Sequence, residues 1–356
     1  MVPALAVADA LRASGADVSF LGTRQRAEAK LVPEAGYEID YLNVRGLDRR
    51  NPLKATAAAA RAATAIPAAS KVLRDRGADV VLGGGGYVAG PAGLAAIRRR
   101  LPLVLTEADS HFGLSNRLLA RRARRVCLAF PIEGLEGDRY LVTGRPVPPE
   151  IVSADRGSAR ERFGIPGDDR CLLVFGGSLG ARTINEAALA AFASVPEGSG
   201  PEGTGRDFWV LHIAGSRDFA TARERVDAES PERYVLLEYE PNLGDALAAS
   251  DLVLARSGGS VFELAAAGKP AILVPYPYAS ARHQHSNAAW MADAGAAITI
   301  EDDELTPERL AEASASLLGD EKRLAAMSAA SLVLARPDAA ERIAAEVLAA
   351  APTVDP

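Results

Sequence analysis

The stretch Cys171-Leu-Leu-Val-Phe-Gly176-Gly-Ser-Leu-Gly180-Ala-Arg182 decides the fold of the second half of the chain. Its first five residues form an apolar run of strand length, a glycine-rich turn follows, and a helical pattern begins directly after the turn. Glycines at such a turn let backbone N–H groups approach a diphosphate at a helix N-terminus, and a serine hydroxyl adds a donor. The stretch matches neither GxGxxG nor a Walker P-loop, so an ordinary strand-to-helix turn stays an open alternative. We predict anion contacts at Gly177, Ser178 and Gly180.

Apolar strand-like runs alternate with alanine-rich helical stretches along the rest of the chain as well. This alternation predicts parallel βαβ units and therefore an α/β fold. In the first half the predicted elements cover residues 17–21, 55–74, 80–82, 94–100, 103–105 and 118–122. In the second half they cover residues 171–175, 185–193, 208–213, 235–237, 252–255, 261–267 and 271–275.

A proline-dense segment, Thr143-Gly-Arg-Pro-Val-Pro-Pro149, lies between the two halves, and a new helix is predicted from Ser158. A chain of 356 residues favours two domains, at roughly 150 residues per domain. We therefore predict one domain over residues 1–146 and another over residues 150–337. Residues 195–206 are rich in glycine and proline and are interpreted as a surface insertion.

The composition indicates a folded protein without disulfides. With 48% hydrophobic and 24% charged residues, the chain is neither disordered nor fibrous. Its two cysteines, Cys127 and Cys171, lie in apolar runs without metal-binding spacing, which favours buried reduced thiols. No apolar run reaches the roughly 18 residues of a membrane span and no signal region follows Met1, so we expect a cytoplasmic protein.

The charge is distributed unevenly. Residues 1–150 hold 22 Lys and Arg against 15 Asp and Glu, whereas the remainder holds 18 against 31. The basic half concentrates its charge in two groups of arginines, Arg98 to Arg100 and Arg117, Arg121, Arg122, Arg124 and Arg125. These groups predict an anionic partner, and a solvated helix face is the alternative. Nucleic acid is disfavoured because no aromatic residues interleave with the arginines.

A second turn, Arg256-Ser-Gly258-Gly259-Ser260, follows the predicted strand 252–255 and opens a helix that contains Glu263. Its amides offer another anion site. A carboxylate at Glu263 can accept both hydroxyl protons of a ribose in a charge-assisted pair. Because Glu263 lies three residues after Ser260, a capping-box role is the alternative.

A polar segment, His283-Gln284-His285-Ser286-Asn287, enters a helix soon after the predicted strand 271–275. Ligands of open α/β sheets bind at the carboxyl ends of strands, so these side chains are candidates for sugar hydroxyls. Surface decoration is the alternative.

The first half contains two further loops after predicted strands. The glycine-dense Gly83-Gly84-Gly85-Gly86-Tyr87 segment indicates close approach of backbone to a ligand, such as an acceptor diphosphate. The loop Thr106-Glu107-Ala-Asp109-Ser-His111 holds Asp109 and His111, our candidates for a general base in this half. An ordinary loop is the alternative.

Several of these motifs, taken in order, resemble the MurG family of bacterial UDP-GlcNAc transferases, which convert lipid I to lipid II. They are Gly84-Gly-Gly-Tyr-Val88, the 176–182 turn, Arg256-Ser-Gly258 with Glu263, and His283-Gln284. The resemblance covers nearly the whole chain, including Leu21-Gly-Thr23 and Pro337-Asp-Ala339.

The resemblance implies a GT-B fold, with two Rossmann-like domains facing across a cleft. It implies that residues 1–146 bind lipid I, that residues 150–337 bind UDP-GlcNAc, and that a last helix, about 338–351, crosses back to the first domain. It also implies an inverting transfer without metal or cofactor, UDP-GlcNAc being a substrate. The protein would be peripheral, on the cytoplasmic face of the cell membrane, with Arg121, Arg122, Arg124 and Arg125 against anionic lipid.

The resemblance also implies roles for individual residues. Glu263 would bind the ribose, Ser178 and the 258–260 turn the diphosphate, and His283 with Gln284 the GlcNAc hydroxyls. The full donor-site prediction is Gly177, Ser178, Gly180, Arg256, Gly258, Gly259, Ser260, Glu263, His283, Gln284 and Asn287. The acceptor-site prediction is Gly84, Gly85, Gly86, Tyr87, Glu107 and Asn116.

The chain departs from the family pattern most at its start. The family's first strand and its Gly-Gly-Thr-x-Gly-His loop are missing, because Met1 aligns just after that histidine. We therefore expect the chain as written to lose acceptor-diphosphate contacts, and we expect a GTG codon read as the start to explain the difference. Smaller departures are Asp109 for the usual Asn, Leu179 for the usual Gln, a shorter 256–260 turn, and Glu240 at a position usually apolar near the uracil.

Other functional hypotheses stay open alongside the transferase. A UDP-GlcNAc 2-epimerase shares the fold and donor, but it would not need the basic face or the 83–86 glycines. A sugar-nucleotide-binding protein impaired in catalysis is another, because of the absent loop. A transferase with a diacylglycerol acceptor is a third, since a fold alone does not fix the acceptor.

Overall fold

The computed structural model describes residues 1–44, 52–177, 179–193, 207–279 and 282–352, with backbone alone for residues 52–63. The chain divides into two compact units, Met1–Val147 with Arg336–Pro356, and Pro148–Ala335. The predicted linker, residues 143–149, contains the boundary between them.

The first unit holds parallel strands covered by helices. Strands β1 (Ser19–Gly22) and β2 (Glu38–Tyr41) pair with each other. Strands β3 (Val81–Gly83), β4 (Leu103–Glu107), β5 (Arg125–Leu128) and β6 (Tyr140–Val142) form a second sheet in that order. Among the described residues no pairing joins β1 to β3, so the strands of this unit form two sheets.

The helices of the first unit connect these strands. They are α1 (Val2–Ala13), α2 (Glu28–Glu34), α3 (Pro52–Asp75), α4 (Gly86–Arg98), α5 (Leu114–Leu119), followed by a 3-10 turn (Ala120–Arg122), and α15 (Ala339–Ala350). Helix α15 packs on α1, burying Ile343 and Val347 beside Val7 and Leu11. The C-terminal segment thus completes the core of the first unit.

The second unit contains one parallel sheet of six strands in the order β12-β11-β10-β7-β8-β9. The strands are β7 (Arg170–Phe175), β8 (Phe208–Ile213), β9 (Tyr234–Leu237), β10 (Leu252–Ala255), β11 (Ala271–Leu273) and β12 (Ala297–Thr299). Strands β7 and β10 lie at the centre, where both faces are covered and Leu172, Val174, Leu252 and Leu254 are fully buried. The switch in strand order between β7 and β10 places the turns after β7, β10 and β11 side by side on one sheet edge.

The helices of the second unit flank that sheet. They are α6 (Glu150–Ser153), α7 (Arg156–Phe163), α8 (Arg182–Ala188), α9 (Phe219–Glu229), α10 (Leu243–Ala249), α11 (Val261–Ala266), α12 (His283–Asp293), α13 (Pro307–Leu318) and α14 (Glu321–Leu334). The helix predicted over 185–193 begins three residues earlier and continues beyond α8 as a π-helical segment, Leu189–Ala193. Within the described ranges, no helix of either unit combines the length and apolarity needed to cross a bilayer.

Candidate active site

The glycine turn after β7 requires glycine at particular positions. A Cβ on Gly176 would clash with the backbone of Ala181, and a Cβ on Gly180 would clash with the carbonyl oxygen of Ala214. Gly177 and Gly180 both have left-handed φ values, 93° and 81°. Gly177 is exposed with open space around it. The turn is therefore tightly packed on one side and accessible on the other.

The turn after β8 supports the turn after β7. Gly215, with φ 80°, lies so close to the backbone of Gly180 that a Cβ would clash there too. The Arg217 guanidinium donates to the carbonyl of Gly180 at 3.0 Å. Two glycine turns thus pack backbone against backbone, an arrangement that only residues without side chains permit.

The turn after β10 is tied to the start of α12. Ser257 is fully buried, and its hydroxyl donates to the carbonyl of Gln284 at 2.7 Å. The Asn287 amide donates to the carbonyls of Ser257 at 3.0 Å and Gly258 at 3.4 Å. Two predicted donor-site regions, the 256–260 turn and the 283–287 segment, therefore meet in one cluster. The sequence prediction did not single out Ser257.

Asn287 and His285 each retain a buried atom without a hydrogen-bond partner among the described residues. These atoms are Asn287 Oδ1 and His285 Nδ1. His285 Nε2 lies 3.2 Å from the carboxylate of Glu301. Buried polar atoms are normally satisfied, so these two are candidates for contact with a ligand or water.

Glu263 lies in the first turn of α11 and is half-buried. Ser260, the residue before that helix, makes no side-chain cap, because its hydroxyl donates to the carbonyl of Arg256 at 3.3 Å. The serine half of a capping box is therefore not formed. The ribose role of Glu263 stays a prediction.

Arg256, predicted as a donor-site residue, also makes contacts within the second unit. Its guanidinium forms an ion pair with Asp302 and donates to the carbonyls of Val274 and Pro275 at 3.3 Å. Thr183, in the first turn of α8, also donates to Asp302, at 3.3 Å. Through these contacts and Asp302, Arg256 joins the turn after β10 to the start of α8, and its role at the donor site stays a prediction.

The remaining donor-site candidates have varied environments. Gly258, Gly259, His283 and Gln284 are half-buried. The Gln284 side-chain oxygen accepts from the N–H of Tyr276 at 2.9 Å, so its amide nitrogen is the part that faces Gly258, 3.8 Å from a Cβ placed there. Ser178 and the predicted insertion, residues 195–206, lie outside the described residues.

Glu240, which departs from the family pattern, forms an ion pair and a hydrogen bond within the second unit. One of its carboxylate oxygens pairs with Arg162 at 2.8 Å, and the other accepts from the N–H of Asn242 at 2.8 Å. The side chain is 2% exposed, which the ion pair makes tolerable. Glu240 therefore stabilises the loop after β9 as a paired carboxylate.

In the first unit, a glycine turn after β3 opens α4. Gly85 and Gly86 have φ values of 77° and 75°, and Gly84, Gly86 and Tyr87 are exposed. Ser115 donates to the carbonyl of Gly86 at 2.9 Å, so the loop after β4 lies beside this turn. The helix begins without a side-chain cap, which leaves its first N–H groups available to an anion.

Glu107 and Asn116 form a buried pair that holds the loop after β4. Glu107 accepts from the N–H of Gly113 at 2.8 Å and from the Asn116 amide at 2.9 Å. Asn116 also donates to the carbonyl of Thr106 at 2.9 Å, and its side-chain oxygen is buried without a partner among the described residues. Glu107 thus stabilises the loop through its hydrogen bonds, whereas the side-chain oxygen of Asn116 can accept a hydrogen bond from a ligand.

The candidate bases lie on that same loop. Asp109 is half-buried, with its N–H 3.4 Å from Glu107 Oε1, and His111 is exposed. Both side chains come directly after the carboxyl end of β4. Within the described part of the chain, neither side chain has a hydrogen-bonded partner that would orient it as a base.

The arginines predicted to face a membrane divide into two kinds. Arg121, Arg122 and Arg124 are exposed, close in sequence to Leu118, which is 70% exposed. Arg125 pairs with Glu346 of α15 at 2.7 Å and donates to the carbonyl of Asp138. The ion pair attaches α15 to β5, and the membrane role of Arg125 stays a prediction.

Comparisons with known proteins identify the relatives of this chain. Residues 1–128 match the Glycosyltransferase family 28 N-terminal domain, and residues 171–343 match the Glycosyltransferase family 28 C-terminal domain. A curated relative from Moorella thermoacetica is 39% identical over 97% of this chain and 94% of its own length. That protein is named UDP-N-acetylglucosamine--N-acetylmuramyl-(pentapeptide) pyrophosphoryl-undecaprenol N-acetylglucosamine transferase.

Solved structures resemble the chain as well. The crystal structure of Acinetobacter baumannii MurG aligns with a TM-score of 0.78 and 28% identity, covering 98% of this chain and 95% of that one. A structure described as a UDP-N-acetylglucosamine 2-epimerase from Listeria monocytogenes aligns with a TM-score of 0.68 at 18% identity, covering 98% and 92%. The second likeness shows a shared fold and nothing more. The two-domain GT-B expectation is confirmed by these neighbours.

Proposed function

The chain belongs to glycosyltransferase family 28, to its MurG members, and we propose that it transfers GlcNAc from UDP-GlcNAc to the 4-hydroxyl of MurNAc in undecaprenyl-pyrophosphoryl-MurNAc-pentapeptide. This is the conversion of lipid I to lipid II in peptidoglycan synthesis. The observation that carries the proposal is the set of turns after β7, β10 and β11 on one sheet edge. They bring a glycine turn, a carboxylate and a polar helix start into the part of the fold that binds nucleotides.

The donor is proposed to bind along these three turns. Its diphosphate lies against the open side of the turn at Gly177, with Ser178 and the 258–260 amides as further donors. Its ribose hydroxyls pair with Glu263. Its GlcNAc lies near His283, Gln284 and Asn287, where the buried acceptor oxygen of Asn287 is available for a sugar hydroxyl.

Transfer proceeds by in-line attack of the acceptor hydroxyl on the anomeric carbon, with inversion. Negative charge develops on the departing UDP, and fixed amide dipoles stabilise it without reorganisation. A base removes the proton of the 4-hydroxyl, and Asp109 and His111 are the candidates that this chain offers. We propose that no metal or cofactor takes part, because amide groups and helix termini supply the donors for the diphosphate.

The acceptor is proposed to bind the first unit. Its diphosphate meets the turn at Gly84 to Gly86 and the uncapped start of α4. Asn116 lies beside this turn, with its amide nitrogen 3.9 Å from a Cβ placed on Gly85. Arg121, Arg122 and Arg124, with the exposed Leu118, fit an anionic bilayer surface, which supports peripheral binding at the cytoplasmic face of the membrane.

A transfer assay with radiolabelled UDP-GlcNAc and a lipid I analogue tests this proposal. We expect label to appear in a lipid-linked disaccharide with release of UDP, and we expect chelation with EDTA to leave the rate unchanged. Conversion of UDP-GlcNAc to its 2-epimer without acceptor would support the epimerase instead. Donor binding without turnover would support the impaired binding protein.

A further inference from the structure

A series of buried, hydrogen-bonded side chains connects β9, β8 and α8 in the second unit. The Tyr234 hydroxyl lies 2.7 Å from His212 Nδ1, and His212 Nε2 lies 3.0 Å from Asn185 Oδ1. The Asn185 amide then donates to the carbonyl of Ala214 at 2.9 Å and to the carboxylate of Asp218 at 3.0 Å. His212 is fully buried in β8, in a strand that is otherwise apolar.

The chemistry of the partners fixes the direction of every hydrogen bond in this series. Ala214 and Asp218 offer acceptors alone, so both Asn185 N–H bonds point to them and Asn185 Oδ1 must accept. His212 therefore carries its proton on Nε2, and its Nδ1 accepts from the Tyr234 hydroxyl. A neutral imidazole satisfies both contacts, whereas a charged one would be buried without a counter-charge. The hydrogen bonds among Asn185, His212 and Tyr234 therefore have one consistent set of donors and acceptors.

Asn185 lies directly beneath the glycine turn after β7. Its amide nitrogen lies 3.2 Å from the position of a Cβ on Gly180, and the Ala214 carbonyl that it binds is the one that Gly180 packs against. Asp218 is held in turn, since its N–H donates to the carbonyl of Gly215 at 3.2 Å. The amide of Asn185 thus joins the two glycine turns to the core of the sheet.

We propose that Asn185, His212 and Tyr234 are positioning residues. They fix the position of Gly180 relative to the sheet and so determine the affinity of the glycine turn for the diphosphate of the donor. The inference rests on the proposed diphosphate role of that turn. None of the three side chains needs to touch the nucleotide. If Gly180 shifted relative to the sheet, the N–H groups of the turn would lie at the wrong distance from the phosphates, while the pocket for uridine would be unaltered.

The test compares the dissociation constants of UDP and uridine in the full chain. Tyr234→Phe removes one hydroxyl and keeps the ring that packs edge-on to His212. We expect it to weaken UDP roughly fivefold, the effect of one lost neutral hydrogen bond, and to leave uridine unchanged. Asn185→Asp places a carboxylate against the Ala214 carbonyl and Asp218, so we expect it to weaken UDP more than tenfold, again without loss of uridine.

Ser250→Ala is the matched control, because it removes a buried hydroxyl that donates to the carbonyl of Leu247 in the same unit. We expect this variant to bind both ligands as the wild type does. Equal loss of UDP and uridine in Tyr234→Phe, or no loss of UDP, would overturn the inference. If Asn185→Asp does not fold, Tyr234→Phe still decides the question.

Different results would refute the diphosphate role of the turn and the positioning role of the three side chains. A wild-type chain that binds UDP no better than uridine refutes the diphosphate role of the turn itself. A wild type that prefers UDP, with a Tyr234→Phe variant that prefers it equally, refutes the positioning role alone.

Discussion

Gly180 shows how far a single residue can constrain a binding site. It combines a left-handed backbone with direct packing on the Ala214 carbonyl, whereas Gly177 in the same turn has a left-handed backbone and open space. Substitution at the two glycines therefore distinguishes two contributions to the free energy of unfolding. A left-handed backbone is unfavourable for a side chain at both positions, whereas a steric clash arises at Gly180. The same tight packing is what brings the turn after β8 against the proposed diphosphate site.

Substituting alanine at these two glycines gives the first prediction. We expect Gly177→Ala to lower the free energy of unfolding by about 1 kcal/mol, the cost of placing a Cβ in the left-handed region. Gly180→Ala should cost at least about 2 kcal/mol more, since backbone must move, and should weaken UDP at least tenfold. Urea unfolding and calorimetric titration measure both effects. Equal costs at the two positions would contradict the packing described here.

His212 gives the second prediction, which concerns pH. Burial lowers the pKa of His212 to about 3, whereas an unfolded histidine titrates near 6.5. Below pH 6.5 the unfolded chain binds a proton that the folded chain excludes, so the free energy of unfolding falls as pH falls. Relative to His212→Gln, the wild type should lose about 1.7 kcal/mol in all between pH 6.5 and 5, with a slope that approaches about 1.4 kcal/mol per pH unit at the acidic end. Urea unfolding of both proteins across that range measures the difference, and a constant difference would show that His212 is accessible to protons.

At the scale of elements, α5 and the 3-10 turn that follows it form the proposed membrane face. Arg121 and Arg122 in the turn and Arg124 after it are exposed, and the partly exposed Arg125 pairs with Glu346. Among these four arginines, three are exposed on the proposed membrane face, and Arg125 forms an ion pair with the C-terminal helix.

Charge reversal on this face gives the third prediction. Arg121→Glu should weaken sedimentation with phosphatidylglycerol vesicles at least fivefold at low salt, because each basic residue contributes about 1 kcal/mol. High salt should remove most of the difference. Arg323→Glu, at an exposed arginine of α14 in the second unit, changes the net charge equally and should leave binding intact. Equal loss in the two variants would mean that net charge governs binding, without a defined face.

Strands with continuous apolar sequences could be predicted well from the sequence. The predicted spans 208–213 and 252–255 match β8 and β10 residue for residue, because both strands are buried within the sheet. Strand β2, Glu38-Ile-Asp-Tyr41, was not predicted, since two of its four residues are acidic and none of the four is buried. Helices such as α13 and α14 were not predicted because no motif drew attention to them.

The site could be predicted in part, for a related physical reason. Glycine turns and the helix starts beside them are local, so a short stretch of sequence indicates them. The partners of Arg256 and Arg125 depend on which distant segments the fold brings together. Asp302 lies 46 residues from Arg256 in the sequence, and Glu346 lies 221 residues from Arg125. His212 and Asn185 gave no signal, because a lone polar residue in an apolar strand does not reveal its partner.

At the scale of the whole molecule, the two units carry different chemistry. The first half of the sequence is basic and the second half is acidic, and the glycine turn of each unit opens a helix. A basic unit suits a lipid-linked diphosphate at an anionic surface. In the proposed donor site, backbone amides and particular side chains bind the nucleotide, so the acidic net charge of the second unit does not exclude an anionic ligand.

The central claim is that the second unit binds UDP-GlcNAc with its ribose on Glu263, and a calorimetric titration tests it most directly. The wild type should bind UDP-GlcNAc saturably, and Glu263→Gln should weaken both UDP-GlcNAc and UDP about tenfold or more, the effect of a lost charge-assisted pair. For 2′-deoxy-UDP, which lacks one of the paired hydroxyls, the wild type and the variant should differ much less. Absence of saturable UDP-GlcNAc binding by the wild type, or equal affinity for UDP-GlcNAc in the wild type and Glu263→Gln, would contradict the claim.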